Sequence, residues 1–279
     1  MGHAVGMATR AHDPDVRSAL TAAVSAQRSR ALIALDFDGT LAPLVDDPEQ
    51  SRPAAGAADV LTELATAGVQ IAVVTGRDAT TVLRLSGLHD VPGLIVAGLY
   101  GAEQWQAGEL DTLPDQPALI CAGEDLHRLV GSEPAAEGVW IEDKRLSLVV
   151  HARVAADSAG AINALIGPVR ELAKEVGLEV HSGRDVLELR LPGYDKGTVL
   201  RTLVRTLDPS VTVYAGDDVG DLPAFAVIEE LRAGGASAWS IAAGDPPLPE
   251  VVEHADLGVS GPADLVELLR SFGVGSCPK

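Results

Sequence analysis

LIALDFDGTLAP, residues Leu32 to Pro43, runs four apolar residues straight into two aspartates and a glycine. Leu32, Ile33, Ala34 and Leu35 read as a strand buried on both faces, because an apolar run without alternation leaves no face for water. Asp36 and Asp38 fall where that strand should end. Two carboxylates there call for something cationic or reactive beside them.

The same rhythm recurs outward from this strand. Upstream, residues 13–30 read as an Ala-rich helix, with Asp13 as cap and Pro14 in the first turn. Downstream, Ser51 caps and Pro53 starts a helix that Gly68 ends, a strand follows over 69–74, then helix DATTVLRLSG and strand 93–98. Short strands alternating with amphipathic helices predict a parallel sheet covered on both faces. Near residue 104 the rhythm breaks into the turn-rich AEQWQAGELDTLPDQP. From there the order is helix, hairpin GVWIEDKRLSLVVHAR, long helix from Asp157, and two short strands around LEVHSG and DVLELRL. This αββαββ order predicts an α+β module with an antiparallel sheet, inserted in the first domain. The domains expected are 1–111 (core with its N-terminal helix), 112–192 (inserted module) and 193–279 (core resumed). In that last part come helix KGTVLRTLVRTL, strand VTVYAG, a helix from Asp221, strands AWSIAAG and ADLGVS, and a helix from Pro262.

Composition narrows the partners. The 279 residues carry 21 Lys and Arg against 40 Asp and Glu, a net charge of −19, which repels nucleic acid and anionic membranes. An anionic metabolite would be repelled too, so any anion site needs local positive charge from a metal, a lysine or helix N-termini. Only 3% of residues are aromatic against 47% hydrophobic, so the core is aliphatic. Cys121 and Cys277 form neither a CxxC nor a disulfide framework, and no apolar run reaches the roughly 18 residues of a membrane span. MGHAVGMATR lacks the pattern of a secretory leader. A cytoplasmic monomer, neither secreted nor membrane-anchored, is expected.

Four core segments fall at strand ends or helix starts, where parallel α/β sheets bind ligands. In DFDGT, Asp36 and Asp38 are two apart, and Gly39 lets the backbone turn so that amides can face an oxyanion. VVTGR offers the Thr75 hydroxyl and amide, with Gly76 after it; an ordinary strand-to-helix turn is the plainer alternative. Lys196 opens a helix, where the dipole disfavours a cation unless an anion is present; a solvated lysine is the alternative. GDDVGDLPAF crowds Asp217, Asp218 and Asp221, whose repulsion a hard divalent cation would relieve. Helix capping by Asp221, or a plain acidic loop, would also explain that cluster.

In this order the four segments resemble the haloacid dehalogenase superfamily of aspartate-nucleophile phosphatases, whose α/β core is Rossmann-like. The resemblance implies that Asp36 attacks phosphorus and that Asp38 serves as general acid and base. It implies that Mg2+ is held by Asp36, the Asp38 carbonyl and Asp217, with Asp218 and Asp221 near or behind it. Gly39, Thr75, Gly76 and Lys196 would bind the phosphoryl oxygens. Such chemistry needs both aspartates, one to split a hard displacement into two steps and one to cycle a proton.

The insertion lies where that superfamily's C2 group carries a substrate-selecting cap. IEDKRLSLVVHAR, GLYGAEQW and GRDVLELRLPGYDKGTVL resemble trehalose-6-phosphate phosphatases. Alternation puts Ser147, Val149, His151 and Arg153 on one strand face and Leu146, Leu148 and Val150 on the other. The resemblance makes Glu142, Lys144, Arg153, Arg184 and Glu188 the expected sugar ligands, and a small-molecule sugar phosphate the expected partner. Three departures stand out: Gly220 and Leu222 replace a threonine and a carboxylate, Tyr100 stands where a histidine is usual, and Leu191-Pro192 shifts the usual Arg-Pro. The expected function is hydrolysis of trehalose 6-phosphate; the alternatives are another sugar phosphate such as sucrose 6-phosphate, phosphoryl transfer between hydroxyls, or a non-catalytic phosphosugar sensor.

Overall fold

The computed structural model describes residues 14–183 and 185–273. Asp13, Arg184 and Cys277 lie outside them. The chain divides into two compact units, one of residues up to Asp111 and from Asp195 on, the other Thr112–Tyr194.

The first unit is built on β1 (Ala31–Leu35), β2 (Gln70–Val74), β3 (Ile95–Gly98), β4 (Glu103–Gln106) and β5 (Glu109–Thr112), and later β10 (Val211–Gly216), β11 (Ser237–Ala242) and β12 (Leu257–Gly258). They form one sheet in the order β12-β11-β10-β1-β2-β3-β4-β5, parallel from β12 to β3 and antiparallel at β3–β4. Every residue of β1 is buried, which explains its unbroken apolar run. Ile33 and Leu35 join one core layer with Ile71, Val73 and Val213, beneath α1 (Pro14–Ala26), α2 (Ala57–Thr66) and the last helix, Gly261–Gly273. Leu32 and Ala34 join the opposite layer with Ala72, Val74 and Tyr214, beneath Lys196–Leu207 and Leu222–Ala233. From β1 the chain steps one way to β2 and β3 and later the other way to β10 and β11. The β1/β10 boundary is therefore the crevice where such sheets place ligands.

Two local expectations give way in this unit. The helix expected from Pro53 starts at Ala57, because Gly56 turns the chain with φ 80° just before it. Ser51 is thereby left outside the helix, with its hydroxyl free for another use. The turn-rich passage after residue 104 holds the strands β4 and β5, joined through Ala107 (φ 53°) and Gly108 (φ 87°). Two left-handed residues make the tight turn that suits a twisted hairpin, and alanine hides it from inspection.

In the first unit α3 (Ala79–Ser86) follows β2, and the second unit contains α4 (Pro117–Ser132), then β6 (Trp140–Asp143), β7 (Ser147–His151), α5 (Ser158–Val176), β8 (Glu179–Gly183) and β9 (Val186–Arg190). Its sheet is antiparallel in the order β6-β7-β9-β8. Leu148, Val150, Leu187 and Leu189 pack against Leu119, Leu126, Leu165 and Val169 of the two helices. The other sheet face carries the alternate, mostly polar residues. Among the described residues no helix is long and apolar enough to cross a membrane.

Candidate active site

The carboxyl ends of β1 and β10 bring Asp36 and Asp217 together. Both are buried, as is Asp221 one turn further on, and carboxylate oxygens of the three lie within 4.8 Å of one another. The backbone must allow this crowding. A Cβ on Gly39 (φ 82°) would fall 2.0 Å from Oδ2 of Asp217, and one on Gly216 would fall 2.1 Å from Cγ of Asp221. Glycine is the residue that fits both places.

Lys196 opens its helix beneath the cap Asp195, which accepts from the Thr198 amide. Its Nζ reaches Asp221 Oδ1 at 2.8 Å and Asp36 Oδ2 at 3.0 Å. Burial works against the lysine's charge, but the carboxylates of Asp221 and Asp36 outweigh it and hold the pKa well above its ordinary value. The anion that the dipole argument required is thus the protein's own carboxylate pair.

Asp221 is fully engaged. Its Oδ1 also accepts from the Tyr214 hydroxyl at 2.6 Å, and its Oδ2 accepts from the amides of Asp217 (3.0 Å) and Asp218 (3.1 Å). It therefore fixes Lys196 and the loop, with little capacity left for a cation. Asp218 is exposed, and its side chain accepts from the Gly220 amide as a helix cap, so it stands outside the three-carboxylate group. Thr40, directly after Gly39, donates to Asp217 Oδ1 at 3.0 Å.

The cluster has too little positive charge of its own. Burial, with Lys196 opposing and Asp221, Asp217 and Asp218 adding repulsion, pushes Asp36 well above the carboxylate range. Burial first, then the charges of Asp221 and Asp218, raises Asp217 to about 7. Buried oxygen ligands that cannot all ionise together are suited to a hard divalent cation. Asp36 and Asp217 are the side chains with the geometry to hold one.

Asp38 points its carboxylate elsewhere. Arg77 grips it through both Nε and Nη2, the latter at 2.7 Å, and Ser51 donates to Oδ1 at 2.9 Å. The guanidinium is itself fixed by the Pro48 carbonyl at 2.9 Å and lies 5.8 Å over the Phe37 ring. Thr75 is buried at the end of β2, where its hydroxyl accepts from the Arg77 amide at 3.1 Å. Tyr100, at the position of the absent histidine, stands close enough to Gly76 that a Cβ there would meet its hydroxyl at 2.7 Å.

Arg77, Thr40, Ser51 and Tyr214 were not among the expected site residues. Two of them had a legible signal. Arg77 follows Thr75-Gly76 at a strand end, and Tyr214 is a hydroxyl in an otherwise aliphatic strand, which must find a partner when buried.

In the second unit, register sets Glu142 beside Val149, Val149 beside Glu188 and Glu188 beside His181, one row on the polar face. Glu142 Oε2 lies 2.9 Å from His151 Nε2 and 3.9 Å from Lys144 Nζ. Glu188 is buried and accepts from the Ser147 hydroxyl at 2.9 Å. Arg153 does not share this face by alternation: β7 ends at His151, and Arg153 sits in the exposed turn beyond it. Arg184 lies outside the described residues.

The sequence profile of the trehalose-phosphatase family matches residues 34–243. A trehalose-phosphate phosphatase of Mycobacterium marinum is 37% identical over 231 residues, covering 76% of this chain and 55% of its own. The chain thus spans about half the length of the curated relatives it matches. The C-terminal domain of a C. albicans trehalose-6-phosphate phosphatase superposes with a TM-score of 0.75 at 21% identity, over 92% of this chain and 96% of that one. A haloacid dehalogenase-like hydrolase from Bacteroides thetaiotaomicron superposes with a TM-score of 0.61 at 16% identity, over 85% of this chain and 98% of that one. At such identities these two likenesses speak to the fold.

Proposed function

The chain belongs to the trehalose-phosphatase family, and from that premise we propose that it hydrolyses trehalose 6-phosphate to trehalose and inorganic phosphate in the presence of Mg2+. The observation that carries this reading is the buried group of Asp36, Lys196 and Asp217 at the β1/β10 crevice, where nucleophile, cation and metal ligand meet.

In this reading a carboxylate oxygen of Asp36 attacks phosphorus in line with the sugar oxygen. The bond from phosphorus to that oxygen breaks, and Asp38, once released from Arg77 and Ser51 and protonated, delivers its proton to the departing sugar oxygen, which leaves as a hydroxyl. Asp38, now a carboxylate, takes a proton from water, the water oxygen attacks phosphorus, and Asp36 is released with phosphate. Mg2+, held by Asp36, Asp217 and the Asp38 carbonyl, would supply charge to the phosphoryl oxygens. Lys196 and the Gly39, Thr75 and Gly76 segments bind those oxygens, supplying the local positive field that the acidic surface withholds. Asp221 and Tyr214 act through Lys196, as positioning residues.

The sugar is selected by the polar sheet face of the second unit, with Glu142, Lys144 and Glu188 hydrogen-bonding its hydroxyls and with Arg153 and Arg184 as further ligands. The test is phosphate release from a panel of sugar phosphates with magnesium and with EDTA. Preference for trehalose 6-phosphate that EDTA abolishes is expected; turnover confined to another sugar phosphate, or none, contradicts the reading.

A further inference from the structure

Trp140 is the most prominent side chain on the polar face of the second unit, and the reading above gives it no role. It opens β6, the edge strand, and is 48% exposed. Register sets it opposite His151, and the two rings stack with centroids 4.0 Å apart and planes 10° from parallel. His151 is thereby covered, its side chain 17% exposed, while its Nε2 holds Glu142. The result is a connected row of indole, imidazole, carboxylate and ammonium, ending at Lys144.

A large ring left half in water at a sheet edge forgoes much of its burial energy, and edges are ordinarily blunted by charge. A flat apolar surface beside hydrogen-bonding groups matches a pyranose. The C–H face of a pyranose lies against an aromatic plane while its hydroxyls reach the neighbouring polar groups.

We propose that Trp140 is a specificity-determining residue whose indole is the platform for a pyranose ring of the substrate, and that His151 is the positioning residue that fixes the indole and Glu142 in register. The inference rests on the reading of this chain as a sugar phosphatase. Stacking acts on the sugar and not on the phosphoryl group, so its loss separates substrates with and without a sugar.

The experiment compares wild type, Trp140→Ala and Trp140→Phe on trehalose 6-phosphate and on acetyl phosphate, which has neither a sugar nor a ring, with melting temperature measured alongside. Trp140→Ala should raise KM for trehalose 6-phosphate about five- to tenfold with kcat little changed, and Trp140→Phe should restore most of it. Neither variant should alter acetyl phosphate turnover. An unchanged KM, or equal losses on both substrates, overturns the proposal. If wild type turns over acetyl phosphate but not trehalose 6-phosphate, the substrate reading fails separately. Tryptophan emission titrated with trehalose and with sucrose then decides the platform: a sugar-dependent change lost in Trp140→Phe upholds it, and no change, or one retained in that variant, overturns it.

Discussion

The carboxylate cluster at the β1/β10 crevice and the polar sheet face of the second unit are built by opposite rules. In the cluster each group is buried and multiply held: Asp221 alone accepts from Lys196, Tyr214 and two backbone amides. On the sheet face Glu142 and Lys144 are partly exposed and stand 3.9 Å apart in a thin row. Chemistry that is the same for every phosphate ester tolerates a rigid, over-determined site. In the proposed reading, recognition of one sugar among many is carried by contacts that can be exchanged singly.

This difference predicts a graded set of effects. Asp36→Asn keeps the shape and removes the proposed nucleophile, so kcat should fall by about 10^4 or more on every substrate, measured by phosphate release. Lys196→Met should cost about 10^2- to 10^3-fold in kcat/KM on every substrate. It also leaves Asp221 and Asp36 buried without their cation, a destabilisation of about 3–5 kcal/mol measured by urea unfolding. Retention of sugar-specific activity by either variant would break the division between the two regions.

Metal binding sharpens it further. Asp217, with a pKa raised to about 7, is protonated below that pH and must release the proton to ligate a cation. Apparent magnesium affinity should therefore weaken as pH drops through 7, by about tenfold per unit for one proton, measured by titrating activity at fixed pH values. Glu142→Ala should have a smaller and selective effect, raising KM for trehalose 6-phosphate about tenfold while sparing p-nitrophenyl phosphate. Smallest is Tyr214→Phe, which removes one buried hydrogen bond and should cost about 1 kcal/mol of stability with all substrates turned over.

The cluster was far more legible in the sequence than the sheet face, for a physical reason. A carboxylate at the end of a doubly buried strand leaves a signature within six residues, and DFDGT carries Asp36, Gly39 and Thr40 together. Strand ends converge in a parallel sheet, so Asp217 could be placed beside Asp36 without knowing any distance. What stayed hidden was the division of labour among the acids: that Asp221 is spent on Lys196 depends on side-chain geometry across 25 residues, and that Asp218 is spent on capping depends on how its side chain turns toward the Gly220 amide. Arg77 escaped for the same reason, since its partner Asp38 lies 39 residues away. On the sheet face alternation located Ser147 and His151, but not where the strand stops, so Arg153 was carried two residues past its end. The β4–β5 hairpin stayed hidden because Ala107 adopts a turn conformation its identity does not advertise.

The central claim, that a general phosphoryl-transfer site serves a sugar chosen elsewhere on the chain, is met most directly by one measurement: phosphate release from trehalose 6-phosphate, sucrose 6-phosphate, glucose 6-phosphate and p-nitrophenyl phosphate, with magnesium and with EDTA, for wild type and Asp36→Asn. The account predicts magnesium-dependent turnover that favours trehalose 6-phosphate and vanishes on all four substrates in the variant. Turnover surviving in Asp36→Asn, or no preference for trehalose 6-phosphate in wild type, would contradict it.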